Sequence, residues 1–317
     1  MYIMKLKPAL KDNIWGGTRL KTEYKMQTDL DIVAEAWTLS CHKDGPNTVE
    51  NGEYAGQIFH DVVENAGREK IAGTKAAAYP DFPLLIKMID AKDDLSIQVH
   101  PDDEYARVHE HEFGKTEMWY VIDAQPGASL IYGFKDKISK EEFKAAIENN
   151  TLPEVLNSVP VKKGDVFFIE AGTVHAIGKG VFIAEIQQNS NSTYRVYDYG
   201  RLGKDGKPRE LHVQKALDTA KTEPPKYPTT AQGSPENVPG GQKTLLRSCE
   251  LFTVYHCALN GAMAFTADEA SFVNVLVLDG SGQIGDMDFQ KGDSFFVPAN
   301  FGKFEVNGQA ELIVTTM

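Results

Sequence analysis

The chain is broken into short apolar runs rich in Val, Ile, Phe and Tyr, with Gly, Asp and Asn between them. Such runs read as strands joined by turns, and a long series of them must close into a sandwich or barrel to bury its apolar faces. The strands expected in the first part of the chain are 35–40, 84–90, 96–100, 117–123, 129–134, 165–170, 181–187 and 193–199. Beyond residue 241 they are 252–259, 262–266, 271–279, 283–287, 293–298, 303–307 and 311–315. Helical patterns are few: 18–24, 57–65, 211–221 and, most clearly, 139–149. In the last, Ser139 can cap, Glu142 stands three residues on, and Phe143, Ala146 and Ile147 share a face. The expected fold class is mainly β, with a small helical insertion around 136–160.

An internal echo divides the chain. Lys163-Gly164-Asp165-Val166-Phe167-Phe168-Ile169 has a counterpart in Lys291-Gly292-Asp293-Ser294-Phe295-Phe296-Val297. A small-residue turn follows each copy. The first turn runs on to His175, whereas the second continues as Phe301-Gly302-Lys303 without a histidine. Two related β modules are therefore expected, one of them carrying a site. The stretch 221–241, with Pro224, Pro225, Pro228, Pro235 and Pro239, reads as a linker. The expected domains are 1–225, a linker over 226–241, and a site-free module over 242–317.

Composition narrows the function classes. A chain of 317 residues, 42% hydrophobic and 25% charged, is long enough for a substantial core. Its net charge of −12 argues against nucleic acid, which is bound largely through Lys and Arg on phosphates. A small anionic substrate needs only a local cationic pocket. The start lacks the apolar core of a signal peptide, and no run of about 18 apolar residues exists, so no membrane span is expected. Cys41, Cys249 and Cys257 form no CxxC, so neither a disulfide framework nor a thiol nucleophile is expected. A reducing cytoplasm is the simplest setting. No long apolar helix calls for an obligate interface, so a monomer or weak homodimer is expected.

The chemistry concentrates around Gln98-Val99-His100. Two residues apart on a strand, Gln98 and His100 point to one face. Glu117 shares a strand face with Trp119 and Val121, and His175 follows the Gly-Asp turn and the run Val166 to Ile169. Two imidazoles, a carboxylate and an amide oxygen can surround a divalent metal and leave a position for substrate, the pattern of a catalytic site and not of a closed structural one. Against this stands the plainer reading of surface histidines near unrelated carboxylates. His109 and His111, flanking Glu110 in a charged stretch, suit solvent better than metal. Asp102 and Asp103 after Pro101 suit turn capping.

The Gly-Asp turn, apolar strand and following His resemble the cupin jelly roll. The closer resemblance is to type I mannose-6-phosphate isomerase in its short bacterial form. It is carried in family order by Trp15-Gly16-Gly17; by Phe82-Pro83-Leu84-Leu85-Ile86-Lys87 through Gln98-Val99-His100-Pro101-Asp102; by Gly114-Lys115-Thr116-Glu117-Met118-Trp119; and by Gly172-Thr173-Val174-His175-Ala176 through Gln187-Gln188-Asn189-Ser190-Asn191-Ser192-Thr193-Tyr194-Arg195-Val196-Tyr197-Asp198. The resemblance implies two cupin-like modules and one Zn2+ per chain held by Gln98, His100, Glu117 and His175. It implies an essential Arg195 and the interconversion of mannose 6-phosphate and fructose 6-phosphate.

That chemistry needs a proton carrier, a cation for the enediolate and a phosphate pocket. Lys87, in an apolar run, can act as a base if desolvation lowers its pKa, or it is a lysine reaching out from a strand edge. Glu185 can be the acid–base group or can orient a ligand. Arg195 shares strand parity with Tyr197 and Tyr199, so all three are expected to face one way. Phosphate candidates are Arg195, Arg201, Lys87 and Lys115, with Trp15 either an aromatic wall or plain core. Competing readings are an iron-dependent cupin enzyme, disfavoured by the amide and carboxylate among the donors, and a non-catalytic cupin binding a sugar or small acid.

Overall fold

A computed structural model describes residues 1–203 and 205–317. Three antiparallel sheets make the core of the fold. A six-stranded sheet runs, in spatial order, Val166–Ile169, Glu117–Ala124, Val181–Gln188, Leu84–Ala91, Glu35–Leu39 and Ala9–Lys11. A five-stranded sheet runs Tyr194–Tyr197, Ile97–Val99, His175–Ile177, Ser129–Phe134 and Leu156–Pro160. The remaining sheet is nine-stranded and belongs mostly to the C-terminal part.

Strand alternation explains how these layers stack. On the six-stranded sheet Leu84, Ile86, Met118, Phe168 and Ile186 join one buried cluster with Phe252, Leu276, Phe296 and Ile313 of the C-terminal part. The intervening residues Ile89, Trp119, Phe167 and Ile183 join another cluster with Leu130, Tyr132 and Ile177 of the five-stranded sheet. The outer face of that second sheet, carrying Ile97, Val99 and Ala176, is covered by Phe143 and Ile147 of helix Lys140–Glu148 and by Ala216 and Leu217 of helix Val213–Thr219. The space between the two sheets therefore receives the alternate residues, among them Gln98, His175, Lys87 and Glu185.

The echo is one device built twice. Gly164 and Gly292 both take the left-handed conformation, with φ of 91° and 94°. Asp165 accepts the backbone N–H of Lys162 at 2.9 Å, and Asp293 that of Gln290 at 3.0 Å. Gly164 N–H donates to Val121 and Gly292 N–H to Val277, each at 2.9 Å. Strands Val166–Ile169 and Ser294–Val297 follow.

Several sequence expectations need correction. The unit drawn as 1–225 is not closed in its sheets, because Met4–Lys7 pairs with Ser294–Val297 and with Thr48–Val49 inside the nine-stranded sheet. The linker drawn as 226–241 contains a strand, Glu236–Val238, paired with Gly241–Ser248. The helical insertion ends earlier than 160, since Leu156–Pro160 pairs with Ser129–Phe134. Strands expected as separate pieces merge into Thr253–Ala267 and Gly302–Thr316. Short helices Arg68–Ala72, Thr74–Ala77 and Asp103–His109 were not expected. The three cysteines are free. No helix among the described residues is long and apolar enough to cross a membrane.

Candidate metal centre and active-site cleft

His100, Glu117 and His175 come together from three strands or strand ends, all buried. Their ligand atoms lie within 4.8 Å of one another. His175 Nε2 is 3.5 Å from Glu117 Oε1, and His100 Nε2 is 3.8 Å from Oε2. Each imidazole donates its Nδ1 proton to a backbone carbonyl at 2.8 Å, His100 to Ser192 and His175 to Thr173. That fixes the tautomer and aims both Nε2 lone pairs inward, the arrangement by which outer hydrogen bonds orient metal-binding histidines. Gln98 pairs in register with His175 on one side and with Arg195 on the other.

The electrostatics call for a cation. Burial, then Lys115, holds His175 down to about 4, and burial holds His100 well below its ordinary value, so both rings are neutral. Burial, then the Glu185 carboxylate, pushes Glu117 up, against the pull of Lys115. Glu117 Oε1 and His175 Nε2 lack a hydrogen-bond partner among the described residues, a costly state for buried polar atoms. Lys115 Nζ donates to His100 Nε2 at 3.0 Å. It also forms an ion pair with Glu117 Oε2 at 2.7 Å. The corner thus already attracts positive charge, and its donor set fits a divalent metal.

Lys115 is placed by Gly114. A Cβ there would sit 2.4 Å from the backbone nitrogen of Asp103, so only glycine lets the two segments touch. Lys115 N–H then donates to the Pro101 carbonyl at 2.9 Å, beside His100. Asp102 caps helix Asp103–His109 by accepting from Tyr105 N–H. Asp103 does more than the expected turn capping, accepting from Gly114 N–H at 2.8 Å and Gln188 Nε2 at 3.0 Å. His109 and His111 are exposed and outside the centre.

A cleft of about 360 Å³ opens beside Gln98, lined by Trp15, Glu35, Lys87, Lys115, Glu185, Arg195 and Arg209 among others. Lys87 and Glu185 are register partners, with Nζ 3.3 Å from Oε1. Trp119 Nε1 donates to Glu185 Oε2 at 2.9 Å. Burial raises Glu185, but Lys115 and Lys87 outweigh it and hold the carboxyl below its ordinary range. Burial lowers Lys87, yet Glu185 and Glu35 outweigh it and hold the ammonium above its ordinary value. One of the two readings of Lys87, a base, needs a lowered pKa, and these two carboxylates oppose it. Nor does Lys87 reach out from an edge: its strand is flanked on both sides, and it is buried.

Trp15 is both wall and core, lining the cleft while packing with Ile89, Ala91 and Leu95. The expected parity of Arg195, Tyr197 and Tyr199 fails. A bulge lies between Arg195 and Tyr197, and Tyr199 stands beyond the strand with φ of 56°. Arg201 does not line the cleft. It is bound to Asp198 and to the Asp94 carbonyl.

The molecule's likeness to known proteins covers the whole chain. The family described as phosphomannose isomerase type I, catalytic domain, matches residues 3–126, and mannose-6-phosphate isomerase, cupin domain, matches 242–317. Mannose-6-phosphate isomerase ManA of Bacillus subtilis is 39% identical over 316 residues, 98% of this chain and 97% of the relative. The chain belongs to the type I phosphomannose isomerase family. The mannose-6-phosphate isomerase of Streptococcus mutans is 38% identical, over 98% of this chain and 96% of the relative. The crystal structure of the Bacillus subtilis mannose 6-phosphate isomerase superposes with a TM-score of 0.91 at 37% identity, covering 100% of both chains. The apo enzyme of Salmonella typhimurium, at 16% identity and a TM-score of 0.76, covers 99% of both chains and shares the fold.

For this phosphomannose isomerase family member, sequence reading missed Glu35, Trp37 and Arg209. Glu35 Oε2 is 3.5 Å from Lys87 Nζ and accepts from Trp37 Nε1 at 2.8 Å. Trp37 stands opposite Lys87 in register and places its ring 4.9 Å from the ammonium. The alternation of Glu35 and Trp37 on an expected strand was the available signal.

Proposed function

We propose that this chain interconverts D-mannose 6-phosphate and D-fructose 6-phosphate, using one Zn2+ held by Gln98, His100, Glu117 and His175. The observation that carries the reading is the set of inward-aimed, buried acceptors on His100, Glu117 and His175 beside a cleft rich in cations. Full-length likeness to isomerases supports the reaction class. Two imidazoles with a carboxylate and an amide suit redox-inert zinc and leave room for substrate. When bound, the ion polarises the sugar carbonyl and offsets developing negative charge.

The chain's own residues do the rest. Glu185, ionised between two ammonium groups, takes the proton from C2 of the aldose and returns it to C1 while the hydroxyl proton passes from O2 to O1, giving the ketose through an enediolate. One carboxylate can serve both positions because the carbons are neighbours. Lys115 and Lys87 hold Glu185 in its basic form. Arg195 receives Ser96 Oγ and the Glu210 carbonyl as fixed acceptors, at 3.2 and 3.0 Å, which sets its fork toward the cleft. A guanidinium held in place stabilises an enediolate as its charge appears. Ile89, Leu95, Ile177 and Trp15 give the carbon face of the sugar an apolar wall. All these residues precede 225, and the part beyond 242 covers the back of the six-stranded sheet.

The test is a coupled assay for fructose 6-phosphate formed from mannose 6-phosphate by zinc-loaded protein. Turnover is expected, and metal-loaded protein without turnover sinks the reading.

A further inference from the structure

We infer that the protein carries a second ligand site, separate from the cleft, that takes a small heteroaromatic anion of the mononucleotide class and is linked to the metal centre. The pocket has a volume of about 820 Å³ and shares no lining residue with the cleft. That size lies in the usual range for small-molecule sites, about 300–1,000 Å³. It forms where helix Asp103–His109 and the segment 111–113 meet the segment 78–81 and residues 42–43. The site itself does not depend on the isomerase reading; its link to the metal centre rests on that reading.

The lining chemistry selects the ligand class. One wall is apolar and planar: the rings of Tyr79 and Phe113 meet edge to face, centroids 6.0 Å apart at 73°, beside Pro80. Such a wall suits a flat ring. The three carboxylates of the pocket are already engaged. Glu112 holds Lys43, Asn191 N–H and Ser192 Oγ. Asp103 holds Gly114 N–H and Gln188 Nε2, and Asp81 holds Phe82 N–H. The side chains of Arg107 and His111 have no hydrogen-bond or ionic partner among the described residues. Free donors beside engaged acceptors favour an anion, and a guanidinium fork matches a phosphate. Asn189 also lines the pocket, is 5% exposed, and its Oδ1 has no partner among the described residues. A buried amide oxygen of this kind calls for an N–H, which the edge of a nucleobase supplies.

Two hydrogen-bonded routes tie the pocket to the metal centre. Glu112 holds Ser192, whose carbonyl accepts the His100 Nδ1 proton at 2.8 Å. Asp103 accepts from Gly114 N–H, and the next residue, Lys115, stands 3.0 Å from His100 Nε2. Both routes end on His100. A ligand that fills the pocket fixes Glu112 and Asp103, orders the groups that aim His100, and so tightens metal binding. By reciprocity the metal tightens the ligand by the same factor.

The probe is adenosine monophosphate, titrated by calorimetry into full-length protein, with adenosine and inorganic phosphate as its separate halves. Zinc-loaded protein freed of unbound metal is compared with metal-free protein. The monophosphate is expected to bind more tightly than either half and to resist displacement by mannose 6-phosphate. Arg107→Gln and Phe113→Leu, on different walls, are each expected to weaken it about tenfold or more and to leave kcat for isomerisation unchanged. Arg107 is exposed, so its variant keeps the fold and carries the test if Phe113→Leu does not. Zinc-loaded protein is expected to bind the probe about fivefold or more tightly than metal-free protein. No binding, displacement by mannose 6-phosphate, or wild-type affinity in Arg107→Gln overturns the site. Equal affinity with and without zinc overturns its link to the metal centre. Absence of wild-type turnover refutes the isomerase reading instead, and calorimetry with the monophosphate still decides the site.

Discussion

Lys87 and Glu185 face each other across adjacent strands, Nζ to Oε1 at 3.3 Å, both buried between the sheets. Each keeps the other charged. Removing the ammonium leaves Glu185 with Lys115 alone, so its carboxyl titrates at higher pH. Lys87→Met is therefore expected to lower kcat by roughly 10²–10⁴, the usual range for acid–base groups. It is also expected to shift the acid limb of the kcat profile upward. The sign follows from the depressed carboxyl: a group held low by cations rises when one is removed. An acid limb that stays put, or moves to lower pH, contradicts the role.

Glu112 fastens the segment that aims His100. Its carboxylate accepts from Asn191 N–H at 3.2 Å and Ser192 Oγ at 3.1 Å, and the Ser192 carbonyl accepts the His100 Nδ1 proton. Glu112→Gln is expected to weaken zinc binding by about tenfold to a hundredfold, the range for groups that orient a ligand. A competitive chelator titration measures it. The contact with His42 leads the causes that hold the Glu112 carboxyl down to about 2. A depressed carboxyl stabilises the fold above its unfolded value near 4.5, and that contribution is lost as pH falls through about 2. Acid unfolding of Glu112→Gln is therefore expected to be less steep between those values than in wild type. Identical profiles contradict it.

Arg195→Lys keeps a charge but loses the planar fork. It is expected to retain zinc and to lose roughly 10²–10³ in kcat, the scale for one lost donor to a developing oxyanion. Metal analysis beside single-turnover rates checks both halves. A lysine variant with wild-type kcat contradicts the role.

The two parts of the molecule share one core. Phe296 stacks among Phe59 at 4.8 Å, Phe272 at 4.9 Å and Phe82 at 6.2 Å, which come from both sides of the interface. Phe296→Ala is expected to cost about 3–5 kcal/mol and to leave a single unfolding transition. Two resolved transitions in calorimetry would show that the parts melt separately.

Much of this was legible because period-two alternation is local. Leu84–Ala91, Glu117–Ala124 and Ser129–Phe134 were readable as strands, and Ser139 with Glu142 marked a capping box that the structure contains. The same rule marked the strand Ile97–Val99 that leads into His100. What failed depended on partners far along the chain. Met4–Lys7 is a strand because Ser294–Val297 lies beside it, and nothing in its own residues says so. The charge state of Lys87 depends on Glu35, a neighbour only through strand pairing. Arg201 and Arg209 both reach Asp198, and only the course of an aperiodic loop decides which one faces the cleft. The bulge after Arg195 broke a parity that sequence spacing alone supported. Helices Arg68–Ala72 and Thr74–Ala77 are too short to show a helical period and begin at Gly67 and Gly73.

The most direct measurement follows zinc content and mannose 6-phosphate isomerisation in the same samples during stepwise chelation and reloading. The expected result is about one zinc per chain, turnover falling in proportion as zinc is withdrawn, and recovery of both on reloading. Turnover that survives removal of the metal, or an active protein holding stoichiometric iron instead, would contradict a zinc centre built from Gln98, His100, Glu117 and His175.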